Sequence, residues 1–389
     1  MARPLRIGLL WHSDTNPNLG VGALTVGNVA LLREAAGRAG VELALELFRF
    51  RDPGTPYVTG FGAKHDIDRR FITRPSGFLA AARRLDAMFD IGAGDSFTDI
   101  YPDSRFAFII ASKLLCILAG TPLILSPQTI GPFSRQPHTL LAAWAMTRAR
   151  AVFARDPMSE QAARTMAPRA DVHAAIDVAF ALPFTPAAKG PDTRVGINVS
   201  GLLYAGGHTG RNEFGLEVDY RDYTHRLIEA LLARGDVRVE LVKHVFARGT
   251  SSEDDPAVAR ALVARYPGLV EAPDFASPSE AKSYISGLDF LVGGRMHATI
   301  AAFSAGVPVV PVSYSRKFEG LFGGLGYRWL VPAKGMSTEA ALAFTLDAFD
   351  RRAEVAADIA AAAPRVEQGL ETYVGFAAGL FEHLARTSR

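Results

Sequence analysis

The chain is 389 residues long, 49% hydrophobic and 21% charged, with 42 basic against 40 acidic side chains and a net charge of +2. This length exceeds the roughly 250–300 residues at which one core stops growing, so two domains are expected. The near balance of charge excludes the basic excess of a nucleic-acid binder, and a single cysteine, Cys116, excludes an intrachain disulfide.

Cys116 lies in SKLLCILAG and reads as a buried core thiol, which fits a reducing cytosol. The N-terminal MARPLRIGLLWHS has an apolar run too short for a secretory signal and no small-residue cleavage site. No segment reaches the roughly 18 uninterrupted apolar residues of a membrane span. A soluble, cytoplasmic protein is expected, and peripheral contact with the inner face of a membrane stays open.

The first half alternates short apolar runs with helix-length segments. Strands are expected at 6–11, 41–50, 87–92, 121–126 and 151–155, with helices at 22–40 and 104–120 among them. Such alternation argues a parallel sheet with helices on both faces. Residues 181–194, ALPFTPAAKGPDTR, carry three prolines and a glycine and read as a linker. A second series follows, with strands at 195–200, 237–244, 288–294 and 307–313 and helices at 219–234, 255–265, 278–287 and 296–305. The tail, 337–389, is alanine-rich and helical, with Pro364 expected to split it. The expected fold class is α/β, with two doubly wound Rossmann-like domains facing a cleft. They occupy residues 1–185 and 186–336, with C-terminal helices at 337–389 packing back on them.

Ligands of open α/β sheets bind beyond the carboxyl ends of the strands, so the segments following each strand are the candidates. The first, WHSDTNPNLGVGALTVGN (11–28), is a polar loop opening a helix. Its backbone N–H groups suit an anion, although it matches neither GxGxxG nor a P-loop, and a capped turn is equally compatible. The third-strand segment, GAGDSFTDIYPDSRF (92–106), brings Asp95 and Asp99 to the strand end. Such carboxylates take a proton from a hydroxyl or bind sugar hydroxyls; helix capping and loop solvation are the structural alternatives. SPQTIGPFS (126–134) offers Gln128 and Thr129 as hydrogen-bonding groups. In ARDPMSEQAAR (154–164), Arg155 reaches for the cleft or forms a salt bridge, while Asp156 caps the helix that Pro157 begins.

In the second half, one strand ends in Lys243 and His244, and His244 suits a general acid or base or a donor to phosphate. Asp254 and Asp255 precede Pro256 and read as a helix start. The loop SGLLYAGGHTGRNEFGLEVDY (200–220) is rich in glycine and aromatics and offers Tyr204 and Tyr220 to a sugar, against turn or core roles. GGRMHATIAAFSAGVP (293–308) runs from a strand into a helix and places Arg295 and His297 at the helix N-terminus. The helix dipole disfavours cations there by roughly 0.3–1 kcal/mol. A phosphate met by the guanidinium, the imidazole and the first helical N–H groups removes the conflict. The alternative is an arginine paired with a nearby aspartate beside a buried histidine.

Together these segments resemble the polysaccharide pyruvyl transferase family over roughly residues 5–325. The most specific part, GGRMHATIAAFSAGVPVVPVSYSRKFEGLFGGLG (293–326), is similar to the family's G-x-R-[LM]-H…GVPV…Y-x-x-K pattern. NLGVGALT (18–25), GAGDSFTD (92–99), QTIGPF (128–133), ARDPMS (154–159) and KHVF…EDD (243–255) support it in order. Val21 stands where members often carry an aspartate, Met296 replaces the commoner leucine, and GAGD is sparser than the usual glycine run.

The resemblance implies a GT-B-like fold and transfer of pyruvate from phosphoenolpyruvate to two hydroxyls of one sugar, closing a ketal. The acceptor is a glycan or a lipid-linked precursor. The N-terminal domain is then the acceptor side and the C-terminal domain the phosphoenolpyruvate side. Arg295, with Met296 and His297 at the helix start, is implied to hold the phosphate. Arg155 takes the second anionic group, and Lys317 adds positive potential. His297 is the general acid, with Asp95 or His244 as base; Asn18, Asp99, Gln128 and Tyr204 face the acceptor. No metal or cofactor is required beyond phosphoenolpyruvate as co-substrate. A GT-B glycosyltransferase using a nucleotide sugar, and a non-catalytic glycan- or phosphate-binding relative, are the rival readings.

Overall fold

A computed structural model describes residues 3–52, 54–92, 97–247 and 252–387. The chain divides into two compact units, one of residues 1–16, 24–181 and 365–389, the other of residues 17–23 and 182–364.

The elements of the first half are β1 (Leu5–Leu10), α1 (Leu19–Ala39), β2 (Leu43–Arg49), β3 (Phe61–Asp66), α2 (Arg69–Thr73), α3 (Phe78–Ala82), β4 (Ala87–Asp90), α4 (Asp103–Ala119), β5 (Leu123–Gln128), α5 (His138–Arg148), β6 (Ala151–Ala154), α6 (Pro157–Met166) and β7 (Val172–Ala174). The strands form one seven-stranded sheet, ordered β3-β2-β1-β4-β5-β6-β7, with every neighbour parallel. The order reverses between β1 and β4, the switch point of a doubly wound sheet. Strands β4, β5 and β6 are buried along their whole length, as parallel strands covered on both faces must be. Helix α1 is long and apolar enough to cross a membrane, but its most apolar window is 72% buried, as in a core helix. Cys116 is buried in α4, where loss of hydration pushes its thiol pKa up.

In the second half come β8 (Thr193–Asn198), α7 (Gly201–Tyr204), α8 (Tyr220–Leu232), β9 (Val237–Leu241), α9 (Asp255–Arg265), β10 (Val270–Glu271), α10 (Pro278–Ser286), β11 (Phe290–Gly293), α11 (Met296–Ser304), β12 (Val309–Ser313), α12 (Arg316–Gly324), β13 (Val331–Pro332), α13 (Thr338–Asp350) and α14 (Arg352–Thr387). Six parallel strands pair in the order β10-β9-β8-β11-β12-β13. The linker rests on α10: the Thr185 and Ala187 amides donate to Ser283 Oγ and Ser286 Oγ, and Lys282 Nζ donates to Leu182 O at 3.0 Å.

Two features depart from the sequence reading. Strands β3, β7, β10 and β13 were not expected. The residues of β3, FGAKHD, alternate half-buried with exposed on a sheet edge, and the others are two or three residues long, so none carries an apolar run. Pro364 does not split the tail. The break falls at Arg351, and α14 continues through Pro364. An interior proline costs about 3 kcal/mol, and burial of Val355, Ile359, Ala362, Tyr373, Val374 and Phe381 along the same helix opposes that cost.

The last turns of α14 belong to the first unit. Tyr373 Oη donates to Asn28 Oδ1 at 2.8 Å and lies 2.9 Å from Ser126 Oγ. Asn28 Nδ2 lies 2.8 Å from His12 Nε2, while His12 Nδ1 faces Leu10 O at 3.0 Å. A carbonyl only accepts, so His12 carries its proton on Nδ1 and every group in this buried chain is satisfied.

Candidate active site

Strand β11 ends at Gly293, and Arg295 occupies the N-cap of α11 in extended backbone. The Arg295 carbonyl accepts the amides of Ala298 and Thr299, which closes the first helical turn. Asn198, at the end of β8, accepts the Arg295 amide at 2.9 Å and donates to Val242 O at 2.8 Å. One asparagine thus ties together the chain at the ends of β8, β9 and β11. Gly294 between strand and cap is needed for space: a Cβ there would stand 2.7 Å from Tyr220 Oη and 3.0 Å from Ser200 Cβ.

The Arg295 guanidinium meets Asp255. Nη2 and Nε lie 2.8 and 3.2 Å from Asp255 Oδ1, and Nη2 also donates to Glu253 O at 2.8 Å. Nη1 has no hydrogen bond among the described residues. Burial opposes the charge, but Asp255 outweighs it and raises the Arg295 pKa. The conflict between a cation and the helix N-terminus is therefore answered inside the protein, by a carboxylate. Asp255 does more than this. Its Oδ1 accepts the Gly201 amide at 2.9 Å, and Oδ2 accepts the amides of His244 and Val245 at 3.1 and 2.9 Å. The cap of α9 is Asp254, whose side chain accepts the Ala257 amide. The sequence reading gave both aspartates to the helix start, and Asp255, the centre of the site, was missed. The one available signal was an acidic pair where a single cap suffices.

His297 is the second residue of α11 and is half-buried. Its ring lies on residues 17–20: a Cβ at Gly20 would stand 2.5 Å from His297 Nδ1. Asn18 is occupied as a cap, its Oδ1 accepting the Gly20 amide at 2.9 Å. It also bridges to Val245, and the neighbouring Leu19 amide donates to His244 O at 3.1 Å. His244 is buried, and burial together with the charges of His297 and Arg295 lowers its pKa to about 3. It is a neutral imidazole near neutral pH. Asn18, His244, Asp255, Arg295 and His297 are thus brought to one place.

A cavity of about 460 Å³ adjoins this group, walled by Leu203, Tyr204, Phe214, Tyr220 and Arg221 among others. It shares Leu203 and Tyr220 with the close approach at Gly294. Tyr204 Oη lies 2.9 Å from His225 Nε2, and the Arg221 guanidinium stacks 4.8 Å from the Tyr204 ring centre. Lys317 is half-buried in the first turn of α12. Met296 is buried at the start of α11.

The remaining predicted residues belong to the first unit. Arg155 is buried, with Nη1 2.6 Å from Asp177 Oδ2. Asp99 accepts the Ser134 and Arg135 amides, each at 2.9 Å. Burial opposes its charge, but these amides and the cations of Arg135 and His138 hold its pKa below the usual carboxylate range. Asp99 therefore knits its own loop to residues 134–135. Gln128 donates through Nε2 to Asp90 O and Ser126 O, and its buried Oε1 has no partner among the described residues. Asp95 lies outside the described residues.

A family model for polysaccharide pyruvyl transferase matches residues 32–316, a span that includes Asp255, Arg295 and His297. The chain belongs to the polysaccharide pyruvyl transferase family. A polysaccharide pyruvyl transferase is a transferase of polysaccharide biosynthesis, so the expected enzyme class holds at that level. No curated protein matches the chain. Among solved structures, Anabaena HepE in complex with UDP-glucose is similar at 13% identity and a TM-score of 0.54, covering 98% of this chain and 99% of that one. The UDP-GlcNAc 2-epimerase from Neisseria meningitidis bound to UDP-GlcNAc is similar at 8% identity and 0.53, covering 98% of each chain. The UDP-forming α,α-trehalose-phosphate synthase from Burkholderia vietnamiensis is similar at 12% and 0.52, covering 100% and 99%. At these identities the likeness is one of fold, and it agrees with the expected α/β, GT-B-like class.

Proposed function

We propose that this polysaccharide pyruvyl transferase moves pyruvate from phosphoenolpyruvate to two hydroxyls of one sugar and closes a cyclic ketal. The observation that carries the reading is Arg295, the cap of α11, fixed by Asp255 with its Nη1 unengaged among the described residues, two positions before His297 in the first turn. A phosphate at this helix start gains the guanidinium and the positive end of the helix.

Phosphoenolpyruvate is activated by a proton delivered to its methylene carbon. His297 in its protonated form is the donor, and C2 becomes an oxocarbenium-like centre. One sugar hydroxyl attacks C2 and loses its proton to the now neutral His297. The bond from C2 to the phosphate oxygen then breaks, and the second hydroxyl closes the ring as its proton leaves with the phosphate. One phosphate is released per ketal formed. His244, held neutral, serves as a hydrogen-bonding neighbour, which leaves acid duty to His297. The cavity walled by Tyr204, Phe214 and Tyr220 suits the flat face of a sugar ring, so the acceptor is assigned there.

The test is phosphate release from phosphoenolpyruvate in the presence of the host's own glycan precursors, with proton NMR of the product for a ketal methyl group. Phosphate release together with the methyl signal is the expected result. Nucleotide release from UDP-sugars with none from phosphoenolpyruvate would replace this reading with a glycosyltransferase.

A further inference from the structure

Every strand of the seven-stranded sheet is parallel, so all strand starts share one edge. On that edge the registers pair Met88 with Leu123, Ile124 with Ala151, and Val152 with Val172. Arginines collect there: Arg83 and Arg84 after α3, Arg148 at the end of α5, Arg150 before β6, and Arg169 before β7. All five are exposed, and none has a carboxylate partner among the described residues. At about 4.8 Å per strand, the row spans roughly 15 Å from β4 to β7. Between β4 and β7 the acids of the edge have partners: Asp86 holds Arg3 at 2.7 Å, and Asp171 lies 3.0 Å from His173; Glu42, before β2, is exposed.

Large apolar side chains stand beside this row. Leu118, in the last turn of α4, is 67% exposed, and Trp144, one turn before Arg148 on α5, is 41% exposed. The Thr121 hydroxyl donates to Ala82 O at 2.8 Å, which brings the end of α4 beside Arg83 and Arg84. The two helices lie side by side, with the rings of Phe106 and His138 4.1 Å apart at their starts. Helix α5 carries no acidic residue, and the Arg148 guanidinium stacks 5.2 Å from the Trp144 ring centre.

Elsewhere on this unit some exposed arginines find acids, as Arg38 does with Glu34 and Glu371 and Arg164 with Glu160, while Arg51, Arg69, Arg70 and Arg74 are exposed without one among the described residues; what sets the edge row apart is the exposed leucine and tryptophan beside it. A row without carboxylate partners costs self-repulsion, which the stacking of Arg148 on Trp144 offsets at one position only. Water and small ions screen it in solution, and an anionic surface can take their place. A nucleic acid would satisfy the arginines but leave Leu118 in water. A second copy meeting this edge about a two-fold axis would set arginine against arginine. An anionic bilayer supplies both needs: phosphates for the guanidinium groups and an apolar boundary for leucine and tryptophan.

We propose that this edge docks the protein on a membrane surface carrying anionic lipid, with Leu118 and Trp144 entering the headgroup boundary. The proposal stands independently of the donor reading above. It is tested with the full chain by sedimentation with phosphatidylcholine vesicles, with and without phosphatidylglycerol. Binding only to the anionic vesicles, falling as salt is raised, is expected. R148A/R150A and R83A/R84A should each weaken binding about tenfold or more, and L118E/W144E should abolish it. Circular dichroism and melting confirm that the variants fold. Any of three results overturns the proposal. The first is no binding to anionic vesicles at low salt, and the second is binding unchanged in all three double variants. The third is absence of vesicle binding alongside either DNA binding or a dimer lost in L118E/W144E.

Discussion

Arg295 Nη2 lies 2.8 Å from Asp255 Oδ1, and that same oxygen accepts the Gly201 amide at 2.9 Å. A single carboxylate therefore sets Arg295, the start of α7 and, through its other oxygen, the backbone at 244–245. Removing one partner of a buried ion pair costs about 3–5 kcal/mol, because the other charge is left uncompensated. Asp255→Ala should lower stability by about that amount in urea unfolding. Asp255→Asn keeps part of the hydrogen bonding and should lose less stability, while raising the KM for phosphoenolpyruvate more than it lowers kcat. Equal effects on both parameters would make Asp255 a folding residue only.

His297→Ala removes the assigned acid. Turnover should fall by about 10²–10⁴-fold, while phosphoenolpyruvate binding, read by calorimetry, persists through Arg295. Full turnover in this variant would return the proton donor to another group.

Gly20 gives His297 its room. In Gly20→Ala a Cβ would begin 2.5 Å from His297 Nδ1, so the ring must turn. The backbone is helical there, and alanine is otherwise favoured over glycine by about 1 kcal/mol. The expected outcome is a large loss of kcat with a melting temperature nearly unchanged. A fully active Gly20→Ala would show that the orientation of His297 does not matter.

Two buried histidines predict acid sensitivity. Burial holds His12 and His244 at about 3, against 6.5 for an ordinary histidine. Between these values the unfolded chain binds the proton and the folded chain does not. Stability is therefore complete above the unfolded value and falls as pH drops through it, by about 1.4 kcal/mol per pH unit for each histidine. Urea midpoints measured from neutral to mildly acidic pH should show this slope, and His12→Gln should make it shallower.

The cavity beside Gly294 is assigned to the acceptor. Tyr204→Ala and Phe214→Ala should raise the acceptor KM severalfold and leave that of phosphoenolpyruvate unchanged. A matching rise for phosphoenolpyruvate would move the donor into this cavity.

Much of the architecture was legible because parallel strands covered on both faces read as apolar runs. The expected helix at 255–265 coincides with α9, and that at 296–305 with α11 to within one residue. Edge strands such as β3 lack that signal. The Arg295 anomaly was also legible as a charge at the wrong helix end. Its answer was less so, because Asp255 lies 40 positions away and Gly201 another 54 from Asp255. Only the packing of three strand ends brings them together. Asp99 and Arg155 show the converse: polar residues at strand ends whose side chains the fold itself engages.

The hydrogen-bonded chain from His12 through Asn28 to Tyr373 joins the first strand's exit to the last helix. Phe89 and Phe153 pack against the same helix through Tyr373, Phe376 and Phe381. During synthesis the first unit therefore waits for the segment beyond residue 364. Residues 182–364 emerge and can close while the earlier sheet still shows two phenylalanines to the ribosome's surroundings. Tyr373, Phe376 and Phe381, made after that whole segment, are the residues that cover them.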